Sequence, residues 1–184
     1  EDLQKLKKEE LILKYGKMGE NLWFYSRGID PRKINPKQSI KSVSSEKTFI
    51  KDTLDFEELY KNLWKLSEKL SARLKYLNLV SDSVTLKLKF SNFKTINKTR
   101  KFSTGTNSAE IIYQTALPLL FEVHSEEPFR LIGLNLKNLH FKKDVECYPD
   151  LFSEDTDKTL STEATIDIIR QKFGKNSIFK GRSL

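Results

Sequence analysis

The stretch Ser83–Ser103 restricts what this chain can become more than any other. Val84, Leu86, Leu88 and Phe90 alternate with Thr85, Lys87 and Lys89, the period-two pattern of an antiparallel strand buried on one face. A polar turn across Asn92–Asn97 leads into a second run ending Thr99-Arg100-Lys101-Phe102-Ser103. No Asp or Glu occurs from Ser83 through Ala109, while Lys87, Lys89, Lys94, Lys98, Arg100 and Lys101 supply six cations. A hairpin so divided presses one face on a core and offers the other to an anion.

The elements around it define the fold class. Ser39–Phe49 reads as a short strand rich in hydroxyls. Asp55 is placed to cap a helix, with Glu58 completing a capping box and Leu54 and Leu59 a hydrophobic staple; its apolar stripe runs from Phe56 through Trp64 to Leu77. A second cap at Asn107–Ser108 precedes a helix ending near Phe121, with Pro118 expected to kink it. Phe129–Leu136 is a final strand. The order strand–helix–strand–strand–helix–strand predicts an α+β, split βαβ fold: a four-stranded antiparallel sheet, both helices on one face, the other face open to a ligand. The hairpin is expected to form the inner pair of that sheet.

The margins are polar. Residues 1–28 read as helical, with too few apolar positions for a core, and are expected to be the end of a neighbouring domain. Residues 29–38, holding Pro31 and Pro36, read as a tether. Across residues 142–161 the charge turns acidic, predicting a flexible linker, and a last helix is expected from about Thr162 to Phe173 within a 162–184 tail.

The formal charge of +8 and pI near 9.4 favour an anionic partner, here expected to be a DNA backbone. Cys147 is the lone cysteine, which excludes an internal disulfide and fits a cytoplasmic location. No apolar run approaches the ~20 residues of a membrane span, and no signal peptide is read at the start. His124 and His140 are isolated from any metal or triad partner, and Trp23 and Trp64 sit at helical apolar positions that suit packing. Asn97-Lys98-Thr99 fits a glycosylation sequon by chance alone.

Four stretches carry a resemblance. They are Tyr15-Gly16-Lys17-Met18-Gly19 with Arg27-Gly28-Ile29-Asp30; Lys37 through Phe49; the hairpin through Thr99-Arg100 with Arg130-Leu131-Ile132-Gly133-Leu134; and Ile166 through Gly174. In this order they resemble the C-terminal half of a bacterial Y-family DNA polymerase of the DNA polymerase IV group. The resemblance implies the end of the thumb at 1–28, a little finger domain at 39–141 and a C-terminal tail. It further implies a part in error-prone translesion synthesis, the little finger gripping template-primer DNA in the major groove by backbone contacts. Mg²⁺ serves the parent polymerase through palm carboxylates; this piece is expected to hold no metal, to lack catalysis by itself and to be monomeric.

Strand parity places Thr99, Lys101 and Ser103 with Thr85, Lys87 and Lys89 on the open face, and Ser42 and Ser44 likewise. Parity points Arg100 sideways, whereas the resemblance favours its touching DNA. The full expected DNA set is Lys41, Ser42, Ser44, Lys87, Lys89, Thr99, Arg100, Lys101, Ser103, Arg130 and Asn135; Gly133 is expected to admit close backbone approach. Tyr148, Asp150, Leu151 and Phe152 are similar to the sliding-clamp-binding peptide of bacterial polymerases, with Tyr148 where Gln is usual. Two other readings stay open: a stand-alone module for RNA or single strands, which would need aromatics on the open face, and a clamp adaptor that binds no DNA.

Overall fold

The computed structural model describes residues 2–34, 40–123, 125–142, 154–174 and 176–183. The chain divides into two compact units, Glu1–Ser39 and Ile40–Leu184.

In the larger unit β1 (Ser42–Thr53), β2 (Leu79–Phe90), β3 (Thr95–Thr106) and β4 (Phe129–Phe141) form one antiparallel sheet in the order β1-β4-β2-β3. Its inner face packs against helices at Phe56–Tyr76 and Ala109–Phe121. Val84, Leu86, Leu88 and Phe90 on β2 and Ile132, Leu134 and Leu136 on β4 are buried against Leu59, Leu63, Leu70, Ile112 and Leu120. Burying each such side chain contributes about 1.5–3 kcal/mol. A one-residue slip of β2 would drive Lys87 and Lys89 into that core, so the register is firmly set.

The sheet order corrects one expectation. The β2–β3 hairpin is not the inner pair: β4 lies between β1 and β2, and β3 is an edge. Both βαβ crossovers are therefore split by a strand, as the fold class requires, but the centre belongs to β4 and β2.

The first helix of this unit starts where expected, at the Asp55 cap, but without the capping box. Asp55 accepts from the Glu57 N–H at 2.9 Å, while its own N–H donates to Thr53 Oγ1 at 3.0 Å, leaving Glu58 no reciprocal role. Leu54, expected to staple the helix, is 52% exposed. The helix stops at Asn78, whose φ of +55° is the left-handed end that Asn tolerates. The second helix runs through Pro118 without a break.

The last helix spans Glu154–Phe173 and so begins about eight residues before the expected start near Thr162. The acidic run from 154 onward is helix rather than linker. It docks on the first helix: Lys75 pairs with Glu163 at 3.1 Å and Asp167 at 2.6 Å, and Arg170 pairs with Glu68 at 2.8 Å. Beyond it Lys180 and Arg182 bond Glu110 at 3.0 and 2.6 Å and lie over the ring of Trp64 at 4.9 and 5.0 Å. Trp64 is thus fully buried, beneath the tail.

The smaller unit holds three short helices, Asp2–Lys5, Lys8–Tyr15 and Lys17–Ser26. A Cβ on Gly19 would overlap the carbonyl of Leu11, so glycine is what lets the second and third of these meet. Gln4 donates to the Ser26 carbonyl, and the Arg27 guanidinium lies 4.2 Å from the centre of the Trp23 ring.

Candidate nucleic-acid interface

Parity and register arrange the open face of the sheet in four rows read across β1, β4, β2 and β3. They are Thr48–Leu131–Lys89–Thr95, Glu46–Gly133–Lys87–Asn97, Ser44–Asn135–Thr85–Thr99 and Ser42–Lys137–Ser83–Lys101. None of these positions is aromatic. The first and last rows stand six residues apart along β2, roughly 20 Å at the antiparallel rise.

The interior rows are neutral as a pair. Lys87 Nζ lies 2.9 Å from Glu46 Oε1, spanning β4 above Gly133. A Cβ on Gly133 would come 2.7 Å from Glu46 Cγ, so this glycine makes room for a side chain rather than for a neighbouring backbone. In the next row the hydroxyls of Thr85 and Thr99 share a 2.8 Å hydrogen bond. Asn135 Oδ1 beside them is buried and, among the described residues, accepts from no donor, a condition that asks for one.

Positive charge therefore concentrates at the two ends. Lys101 and Lys137 mark one end, with exposed Lys41 next to Ser42, and Lys89 marks the other. Among the described residues none of these four has a carboxylate in ion-pair reach. Arg130 joins the Lys89 end: β4 carries it as an extra residue where the pairing steps from Lys89–Leu131 to Phe90–Phe129, and such a bulge re-aims a side chain. Its contact with Asp52 is long, 3.7 Å.

The structure brings together Ser42, Ser44, Lys87, Lys89, Thr99, Lys101 and Asn135 on one face, with Lys41 and Arg130 at its margins. Ser103 is exposed in the irregular stretch after Lys101, where β3 loses register. Arg100 is not brought to this face. It pairs with Val84, whose side chain faces the core, and its Nη2 bonds Glu122 at 2.8 Å on the helix side. Lys98 bonds the same carboxylate at 3.0 Å. Its hydrogen bond and the charge of both cations hold the Glu122 carboxyl below its ordinary range despite some burial. Of the hairpin's six cations, three are thus already partnered by acids remote in sequence. The expected DNA set left out Phe93, an exposed ring at the hairpin tip, and Lys137, which parity with Asn135 placed on the open face.

Tyr148, Asp150, Leu151 and Phe152 lie outside the described residues, as do Cys147 and His124. His140 faces Asp82 at 3.3 Å. Among the described residues no three His, Cys, Asp or Glu side chains group to hold a metal ion, so Mg²⁺ finds no fitting donor set there. No helix among them is long and apolar enough to cross a membrane.

Residues 40–146 match the impB/mucB/samB family C-terminal domain. DNA polymerase IV 1 of Mesorhizobium japonicum is 37% identical over 179 residues, which is 97% of this chain and 41% of that protein. DNA polymerase IV of Brucella melitensis is 37% identical over 97% of this chain and 40% of its own length. DNA polymerase IV of Staphylococcus saprophyticus is 36% identical over 76% of this chain and 39% of its own. The chain spans about two fifths of the length of these relatives, in their C-terminal portions. With that match over more than half of its residues, the chain belongs to the impB/mucB/samB C-terminal domain family, the little finger region of Y-family polymerases.

Proposed function

We propose that the open face of this sheet grips the backbone of template-primer DNA on behalf of a translesion DNA polymerase. The observation that carries the reading is the separation of unpaired cations into two groups roughly 20 Å apart, with a hydroxyl and amide row and a charge-balanced Glu46–Lys87 row between. A major groove is about 12 Å wide between its walls, so a sheet laid across one sets each cationic end against a flanking phosphate strand. Of the rows between, one holds only Ser, Thr and Asn and the other a lysine already paired with Glu46, so the phosphates at the two ends fix position rather than sequence. The lack of aromatics in the four rows speaks against a module that stacks RNA or single-stranded bases. Polymerisation itself is proposed for the whole protein from the names of its relatives.

A salt titration of duplex binding, read by fluorescence anisotropy, tests the grip. Lys101→Ala with Lys137→Ala should weaken binding regardless of sequence and flatten the log–log salt dependence by about 1.8, at ~0.9 per phosphate contact. Unchanged affinity and slope would end the assignment. Docking to a sliding clamp is a separate proposal that rests on Tyr148, Asp150, Leu151 and Phe152. Purified clamp should capture the wild-type chain and lose Leu151→Ala/Phe152→Ala; equal recovery removes it.

A further inference from the structure

The turn between β2 and β3 is built against local preference. Phe90 N–H donates to the Lys94 carbonyl and Phe93 N–H to the Phe90 carbonyl, both at 3.0 Å, closing a three-residue loop of Ser91, Asn92 and Phe93. The last residue of such a loop takes the left-handed conformation and is ordinarily Gly. Here it is Phe93, at φ +66°, a conformation that is a true outlier for a bulky side chain. The ring is 61% exposed, so burial does not offset that strain.

What the ring does touch is charge. The Arg130 guanidinium carbon lies 4.8 Å from its centre and Lys89 Nζ lies 5.3 Å from it. The two cations come from different strands, β4 and β2, and converge on one ring at the end of the open face. Among the described residues Lys89 has no carboxylate in ion-pair reach, and Arg130 has one partner, Asp52, at the long distance of 3.7 Å. Like charges brought side by side repel, and a π face offsets part of that repulsion. A strained, exposed aromatic that gathers an unpaired lysine and an arginine held only by a long ion pair leaves a place for a doubly contacted anion.

Resting on the DNA-gripping reading, we propose that Phe93 is a positioning residue for a phosphate seat. Its ring holds Arg130 and Lys89 together so that the pair takes one phosphodiester of the duplex backbone. Phe93 touches the cations, and the cations touch the phosphate.

The test is a set of anisotropy titrations of a labelled primer–template duplex with the full chain and its variants, each with a thermal melt. Phe93→Leu, which keeps bulk and loses the π face, should bind about two- to fivefold more weakly. Phe93→Tyr should bind as wild type. Arg130→Ala should flatten the salt slope by about 0.9, and adding Phe93→Leu to it should cost nothing more, because the ring then has no seat to organise. Phe93→Gly relieves the turn, so it should melt no lower than wild type while binding as weakly as Phe93→Leu. Full affinity in Phe93→Leu, losses that simply add to those of Arg130→Ala, or weakened binding by Phe93→Gly only alongside a lower melting temperature would each overturn the seat. If wild type binds duplex and the Phe93 variants match it, the seat alone fails. If wild type does not bind duplex, the grip fails and the seat goes with it.

Discussion

At the scale of single residues the open face is tuned as much by an acid as by its bases. Glu46 reaches over Gly133 to neutralise Lys87 at the middle of the sheet. Both side chains are over a third exposed or close to it, and such pairs contribute only about 0.2–1 kcal/mol to stability. Glu46→Gln should therefore leave the melting temperature nearly unchanged, yet tighten duplex binding and steepen its salt dependence by up to ~0.9 as Lys87 becomes available to a phosphate. An unchanged slope would mean that Lys87 never meets DNA. Leu86→Ala is the contrasting case: it empties a fully buried site between the sheet and both helices, and chemical denaturation should show a loss of about 2–5 kcal/mol. The alternation of Leu86 and Lys87 was legible because strand parity is local. The partner of Lys87 was not, since Glu46 lies 41 residues away and reaches it only once β4 has come between them. Arg100 shows the same boundary: parity alone pointed it off the open face, as found, whereas its bond to Glu122 depends on where the second helix ends.

At the scale of elements the helix Ala109–Phe121 begins with an unusually complete cap. Ser108 accepts from Ile111 N–H at 3.3 Å. Glu163 of the last helix accepts from the Ser108 hydroxyl and the Glu110 N–H at 2.9 Å, and from the Ala109 N–H at 3.3 Å. A carboxylate there satisfies orphan donors and meets the positive end of the helix dipole. Glu163→Ala should cost about 1–3 kcal/mol in a denaturation experiment and speed hydrogen exchange at the Ala109 and Glu110 amides. The Ser108 cap could be read from sequence; the part of Glu163 in it could not, because it lies 55 residues on and depends on how the last helix docks. Just beyond the cap, burial raises the Glu110 carboxyl but the hydrogen bonds from Arg182 and Lys180 outweigh it, and its pKa is lowered overall. A group depressed in the folded state stabilises above its unfolded pKa, with that contribution lost as pH falls through the folded one. Acidification below the ordinary carboxylate range near 4.5 should therefore release the tail, seen as a change in Trp64 fluorescence as Lys180 and Arg182 leave its ring. Glu110→Gln should remove that acid-linked step.

At the scale of the larger unit the two faces of the sheet have separate tasks. The helical face is closed by the tail through Glu163, Arg170, Lys180 and Arg182, while the opposite face keeps its unpaired cations. Truncation after Lys142 should lower the melting temperature and expose Trp64, yet leave duplex affinity close to that of the full chain. A joint loss of both would show that the tail supports the open face as well. Element order and parity were enough to read the layers of this unit. They did not fix which strand is central, because every strand is amphipathic or apolar enough to sit inside, and only the long return of β4 between β1 and β2 decides it.

The remote cap also sets a clock on synthesis. Ser108 and Glu163 are 55 residues apart, and a ribosome adding about 5–20 residues per second needs roughly 3–11 s to travel between them. In the later part of that interval, once Phe141 has been made, all four strands and both sheet-facing helices exist while the first turn of the second helix still lacks its carboxylate. The sheet can assemble as it is made, but the helix that backs β2 and β3 is completed last, from the far end of the chain.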